Sequence, residues 1–199
     1  GKEVVDATGK MLLPSWCDSH THLVYAGNRE EEFKDRINGL SYEEIANKGG
    51  GILNSAKTLQ ATSAESLYQQ SKVRLEEVMR LGTGALEIKS GYGLTPEAEL
   101  KMLRVIKRLQ EETSIPIKAT FLAAHALPEA FKSNKAEFLR KMLGKVLPVL
   151  KAEDLASAID VFCETGYFSP EDTAKILQAA QVYGLVPKIH VNQFNAIGG

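Results

Sequence analysis

Short apolar runs alternate with longer amphipathic stretches along this chain, and that alternation restricts the fold more than any other feature. The runs are Leu12 to Cys17, Ala85 to Ile88, Ile117 to Ala124, Ile159 to Cys163 and Val186 to Val191. The helical patterns lie near Ser63 to Leu81, Pro96 to Glu112, Lys135 to Val149 and Pro170 to Tyr183. Ser63 is a helix-start residue, and Gly82 is a stop just beyond the first pattern. Ser169-Pro170 fits an N-cap followed by proline in the first turn, with Gly184 closing that helix. Strands separated by helices predict a parallel α/β protein. A doubly wound sheet and a (β/α) TIM-type barrel both satisfy the pattern. No glycine-rich phosphate loop follows the first strand, so the dinucleotide-binding version loses its main support. Gly49-Gly50-Gly51 follows a short helix instead and is expected to form a flexible loop at an active site. Residues 1–13, containing Glu3-Val4-Val5-Asp6-Ala7-Thr8-Gly9-Lys10, read as a strand and turn left from a small flanking β module. Residues 14–199 are then the barrel domain.

The chain has four histidines, His20, His22, His125 and His190, and each ends one of the apolar runs. His20 and His22 form a His-x-His at the end of the first run, read as a buried strand. Residues i and i+2 of a strand share a face, so both rings can reach one point. A hydrogen-bonded core histidine explains any one of the four as well as a functional role does. It does not explain why none falls on a helix or surface loop. In a barrel all strand C-termini meet at one rim, where active sites form, so a shared site is expected. Neutral imidazoles hold a metal ion while leaving room for water. The usual additional carboxylate ligand is absent from the stretch after His190, because Val191 to Gly199 contains no Asp or Glu.

Other residues near strand ends supply candidate contacts. Tyr92 lies between Gly91 and Gly93, which permit a tight turn that can aim its hydroxyl inward, although a packing aromatic fits as well. Arg29 can grip a carboxylate in bidentate fashion. On spacing alone it is more simply one member of the charged stretch Arg29 to Arg36. Gln193, three residues after His190, can donate and accept hydrogen bonds but cannot shuttle a proton.

Length and composition set bounds. At 199 residues and 44% hydrophobic content, the chain can bury one sizeable core. Its 24 Lys and Arg nearly balance 25 Asp and Glu, with no basic cluster for nucleic acid and no anionic-membrane signal. No run approaches the ~20 apolar residues of a membrane span, and the N-terminus lacks a signal-peptide core. Cys17 and Cys163 form no metal-type pair, so free thiols in a reducing cytoplasm are expected.

Several strings together resemble one family. They are Asp18-Ser19-His20-Thr21-His22 through Glu30, Gly49-Gly50-Gly51-Ile52, Lys89-Ser90-Gly91-Tyr92-Gly93-Leu94, Phe121-Leu122-Ala123-Ala124-His125-Ala126, Val161-Phe162-Cys163-Glu164 and Lys188-Ile189-His190. The chain resembles the amidohydrolase superfamily and, within it, the imidazolonepropionases. Asp-x-His-x-His alone indicates the superfamily, whereas the Lys-Ser-Gly-Tyr-Gly and Phe-Leu-x-Ala-His-Ala strings are more specific. The resemblance implies an eight-stranded barrel and one ion, zinc or iron, held by His20, His22 and His190. It implies substrate contacts from Arg29, Tyr92, His125 and Gln193, with Arg29 on a propanoate. The implied reaction is hydrolytic opening of 4-imidazolone-5-propanoate to N-formimidoyl-L-glutamate in histidine degradation, with metal-activated water as nucleophile. No general base is assigned among these residues. Because the fourth strand ends in Cys163-Glu164 and not in a bridging lysine, a single metal is expected. Lys89, on the second strand, is not that bridge.

Two departures stand out. Pro14-Ser15-Trp16-Cys17 replaces the family's Pro-Gly-aromatic lead-in. Five barrel strands are legible where the family has eight, so an interior segment is expected, with a metal-binding aspartate and a further histidine beyond Gly199. Such a segment would expose strand edges and apolar surface that favour association, including homo-oligomers. The alternatives are an aminohydrolase acting on a purine or pyrimidine, and a catalytically silent fragment that only binds or assembles. Gln193 counts against the aminohydrolase, which needs a proton-shuttling glutamate there.

Overall fold

The computed structural model describes residues 4–41, 44 and 51–198. Gly49 and Gly50 of the expected flexible loop lie outside the described residues. Five parallel strands form one sheet: β1 (Trp16–Thr21), β2 (Thr83–Lys89), β3 (Ile117–Ala124), β4 (Ala158–Cys163) and β5 (Val186–Val191). Their order in the sheet is their order in the chain. A doubly wound sheet reverses strand order at a switch point. The unreversed order, with helices in every crossover, makes this a curled, incomplete (β/α) TIM-type barrel.

The helices are α1 (Glu30–Ile37), α2 (Ile52–Ala61), α3 (Ala64–Arg80), α4 (Pro96–Glu112), α5 (Lys135–Glu153) and α6 (Pro170–Gln181). Their ends follow local chemistry. The Ser63, Thr95 and Asn134 side chains accept hydrogen bonds from backbone N–H groups in the first turns of α3, α4 and α5. At α6, Ser169 and Asp172 form a reciprocal capping box. Gly82 and Gly184 end α3 and α6 with φ of +97° and +75°. Among the described residues, no helix is long and apolar enough to cross a membrane.

The two faces of the sheet differ in composition because side chains alternate along each strand. Leu86 and Ile88 of β2, Phe121 of β3, and Ile159 and Val161 of β4 point outward into one core with Leu103 and Ile106 of α4 and Met142 and Val146 of α5. The inner face carries His20, Glu87, Lys89, Thr120, Asp160, Lys188 and His190. That face positions the site.

Three expectations need correction. The first strand is not buried and does not begin at Leu12. Leu12 and Leu13 precede the sheet at 91% and 68% exposure, and β1 is an exposed edge strand. The apolar run misled because an edge strand has a neighbour on one side only. Among the described residues before β1 there is no strand, only a turn in which Lys10 N–H donates to the Ala7 carbonyl. The third helix pattern ends at Glu153, not Val149, and runs through Pro148. The buried side chains of Val146, Leu147 and Leu150 hold both sides of that proline against the core.

Candidate active site

His20 lies on β1, and His22 follows one residue after its end. Tyr92, His125 and Gln193 sit just past the ends of β2, β3 and β5, while His190 is within β5. Parallel strands deliver all of these to one rim. A cavity of about 380 Å³ is lined by His20, His22, Arg29, Tyr92, His125, His190 and Gln193, the complete set singled out from the sequence. Leu122, Phe162 and Phe194 supply apolar wall. A second cavity of about 380 Å³ shares His22, Arg29 and Tyr92, so Arg29 borders both.

The histidines are close-packed. Ring centroids are 5.6 Å apart for His20 and His22, 4.7 Å for His20 and His190, and 6.4 Å for His22 and His190. His22 stacks on His125 at 5.6 Å, and Tyr92 touches both rings. One nitrogen from each of His20, His22 and His190 lies within 4.8 Å of the others. The Nε2 atoms of His20 and His190 are 3.0 Å apart.

Burial favours the neutral form of His20, His22 and His125. It is the largest influence on His22, and with the neighbouring imidazoles and Lys89 it holds the ring at a pKa of about 3. Burial likewise pulls His125 to about 4. For His20, burial, His190 and Lys89 lower the value against the opposing pull of Glu87 and Asp160. A neutral imidazole offers a lone pair, which is the form a metal binds. The buried Nδ1 of His22 has no hydrogen-bond partner, an arrangement that is costly unless something else meets it. The donor set fits one divalent ion on this ground.

The surroundings fix each group. His125 Nδ1 lies 3.0 Å from the Gly91 carbonyl, so it donates there and Nε2 remains an acceptor. Arg29 Nε donates to Ser55 Oγ at 3.0 Å, and Glu32 lies 3.8 Å away. Arg74 of α3 donates to the Leu23 and Tyr25 carbonyls and covers the Tyr25 ring at 3.6 Å, which holds the segment after His22. Gln193 is exposed, in a bend after β5. The buried Glu164 carboxylate accepts from the N–H groups of Phe194 and Asn195 at 2.7 and 3.2 Å and fixes that bend.

Some site-forming residues were not read from the sequence. Glu99 on α4 is 1% exposed and accepts from the N–H groups of Gly91, Gly93 and Leu94 at 2.7–3.0 Å. It shapes the loop that carries Tyr92. Asp160 meets His190 Nδ1 at 3.0 Å and Lys89 Nζ at 2.8 Å. Lys89 also meets Glu87 at 2.8 Å, and Glu87 pairs with Lys188 and accepts from Thr120. The available signal was a charge at positions 87, 89 and 160 within otherwise apolar strands.

No family model matches the chain. The chain is 66% identical over 196 residues to an imidazolonepropionase from Flavobacterium johnsoniae, covering 98% of the chain and 48% of that protein. It is 64% identical over 197 residues to one from Christiangramia forsetii and 46% identical over 197 residues to one from Clostridium tetani. Each match covers 99% of the chain, with 48% and 47% of the respective relatives. The chain therefore spans about half the length of the curated relatives it matches. The resemblance carried by the motifs extends over nearly the whole chain. Among solved structures, a zinc-bound amidohydrolase from Burkhoderia ambifaria superposes with a TM-score of 0.55 at 14% identity, covering 90% of this chain and 52% of that one. That likeness concerns the fold.

Proposed function

We propose that this chain carries the metal-binding and substrate-binding rim of an imidazolonepropionase, which hydrolyses 4-imidazolone-5-propanoate to N-formimidoyl-L-glutamate. The observation that carries the reading is the convergence of His20, His22 and His190 within 4.8 Å, in one cavity with Arg29, Tyr92, His125 and Gln193. Imidazolonepropionases up to 66% identical over the same stretch support the substrate class.

His20, His22 and His190 would hold one ion, zinc or iron, since imidazoles suit both. When bound, the ion would polarise a carbonyl and lower the pKa of water toward ~7. The protein's own groups do the rest. Arg29 binds the propanoate carboxylate through its guanidinium. His125, with its proton held on Nδ1 by Gly91, presents Nε2 to a ring N–H of the substrate. The Tyr92 hydroxyl and the Gln193 amide orient the ring by further hydrogen bonds. Phe162 packs edge-on to His125 and His190 and excludes water from the inner wall. An amide at position 193 moves no proton, which argues against deamination of a purine or pyrimidine.

The test is turnover of 4-imidazolone-5-propanoate by the metal-loaded full-length protein, with formation of N-formimidoyl-L-glutamate followed chromatographically. His190→Ala is expected to lose metal and activity together. Deamination of adenine or cytosine without imidazolone hydrolysis would contradict the assignment.

A further inference from the structure

His190 has two ring nitrogens with different neighbours. Nε2 faces His20 Nε2 at 3.0 Å, whereas Nδ1 meets Asp160 Oδ2 at 3.0 Å. Asp160 lies on the adjacent strand β4 and is 1% exposed. Its Oδ1 accepts from the Val161 N–H at 2.8 Å, and its Oδ2 also accepts from Lys89 Nζ at 2.8 Å. Lys89 is itself buried and braced by Glu87. Both carboxylate oxygens thus meet donors. An ionised carboxylate can only accept, so the His190 proton belongs on Nδ1 and the lone pair on Nε2.

We propose that Asp160, anchored by Lys89, is a positioning residue that holds His190 as its Nδ1–H tautomer with Nε2 aimed into the histidine triad. The inference rests on the reading that the triad holds a metal ion. It goes further by assigning a role to a buried charged pair on β2 and β4 outside that triad. Burying a lysine–carboxylate pair is expensive and seldom adds net stability by itself. A carboxylate that orients a ligating histidine accounts for the pair, and removing such partners typically weakens metal affinity 10–100-fold.

Asp160→Asn tests this by nearly isosteric replacement. The amide has one accepting oxygen and one donating nitrogen. Turned one way, it places NH₂ against the Val161 N–H. Turned the other way, it places NH₂ against Lys89 and His190, and the ring proton moves to Nε2. Nitrogen-15 NMR of the metal-free full-length protein reads the tautomer without any metal. We expect Nδ1–H at His190 in the wild type and a shift toward Nε2–H in Asp160→Asn. Zinc affinity, measured by chelator competition, is expected to fall 10–100-fold in the variant. A wild-type His190 protonated on Nε2 would overturn the inference, and this arm stands even where the variant fails to fold. Equal zinc affinity in variant and wild type would overturn it as well. Failure of the wild type to bind zinc would overturn the metal reading and the inference together, an outcome distinct from equal binding.

Discussion

At the scale of single residues, burial favours the neutral form of His20, His22 and His125. His125 has a folded pKa of about 4, against roughly 6.5 when unfolded, because it is buried. Below pH 6.5 the unfolded chain gains a proton that the folded chain refuses. Stability present at pH 7 is therefore lost as the pH falls toward 4. At pH 5, His125 alone accounts for on the order of 2 kcal/mol. Thermal melting of the metal-free protein between pH 7 and pH 5 checks this, with a shallower pH dependence expected for His125→Gln. Identical slopes for variant and wild type would contradict the assignment. Arg29→Ala should raise KM for imidazolonepropanoate by the loss of about 1.5–3 kcal/mol, the scale of a charged hydrogen bond. An unchanged kcat/KM would remove Arg29 from the site. The histidines were legible because each ends an apolar run. Asp160, Glu99 and Arg74 were not: Asp160 pairs across the sheet with Lys89 and His190, and Glu99 and Arg74 hold backbone groups of loops, neither of which leaves a side-chain spacing to read.

At the scale of elements, the rim depends on loops shaped by buried groups. Gly91 has φ of +107°, and Leu94 follows with φ of +54°, so the loop after β2 runs through the left-handed region twice. At Gly93 an added Cβ would lie 2.5 Å from the Glu99 backbone nitrogen and 2.7 Å from the Ala98 carbonyl carbon. Backbone cannot yield as a flexible side chain does. Gly93→Ala should therefore cost about 1–3 kcal/mol in denaturant unfolding and displace Tyr92, raising KM as well. A variant of unchanged stability would show that the loop has slack. The helix starts at Ser63 and Ser169 were read correctly because capping is local chemistry. Neither α1 nor α2 was placed from the sequence, which read only a short helix of no stated bounds before Gly49. Arg29 to Arg36 looked like a solvated charge run, and α1 has no buried residue to mark a face. The short α2 buries only Ala56 and Leu59.

At the scale of the whole molecule, the unreversed order of five parallel strands turns separate strand ends into one rim. Alternation of apolar runs and helical patterns revealed the elements but left two sheet topologies open. Strand order, a property of long-range pairing, selected the barrel type. The exposure of β1 was also out of reach, since an apolar run records composition and not the number of neighbours. The central claim remains that three imidazoles, from the end of the first strand and from the fifth, share one ion. Anomalous diffraction from crystals of the full-length protein grown with zinc tests it directly. One peak per chain is predicted, about 2.0–2.1 Å from a nitrogen of each of His20, His22 and His190. No peak there, or a peak bound by other residues, would contradict the account.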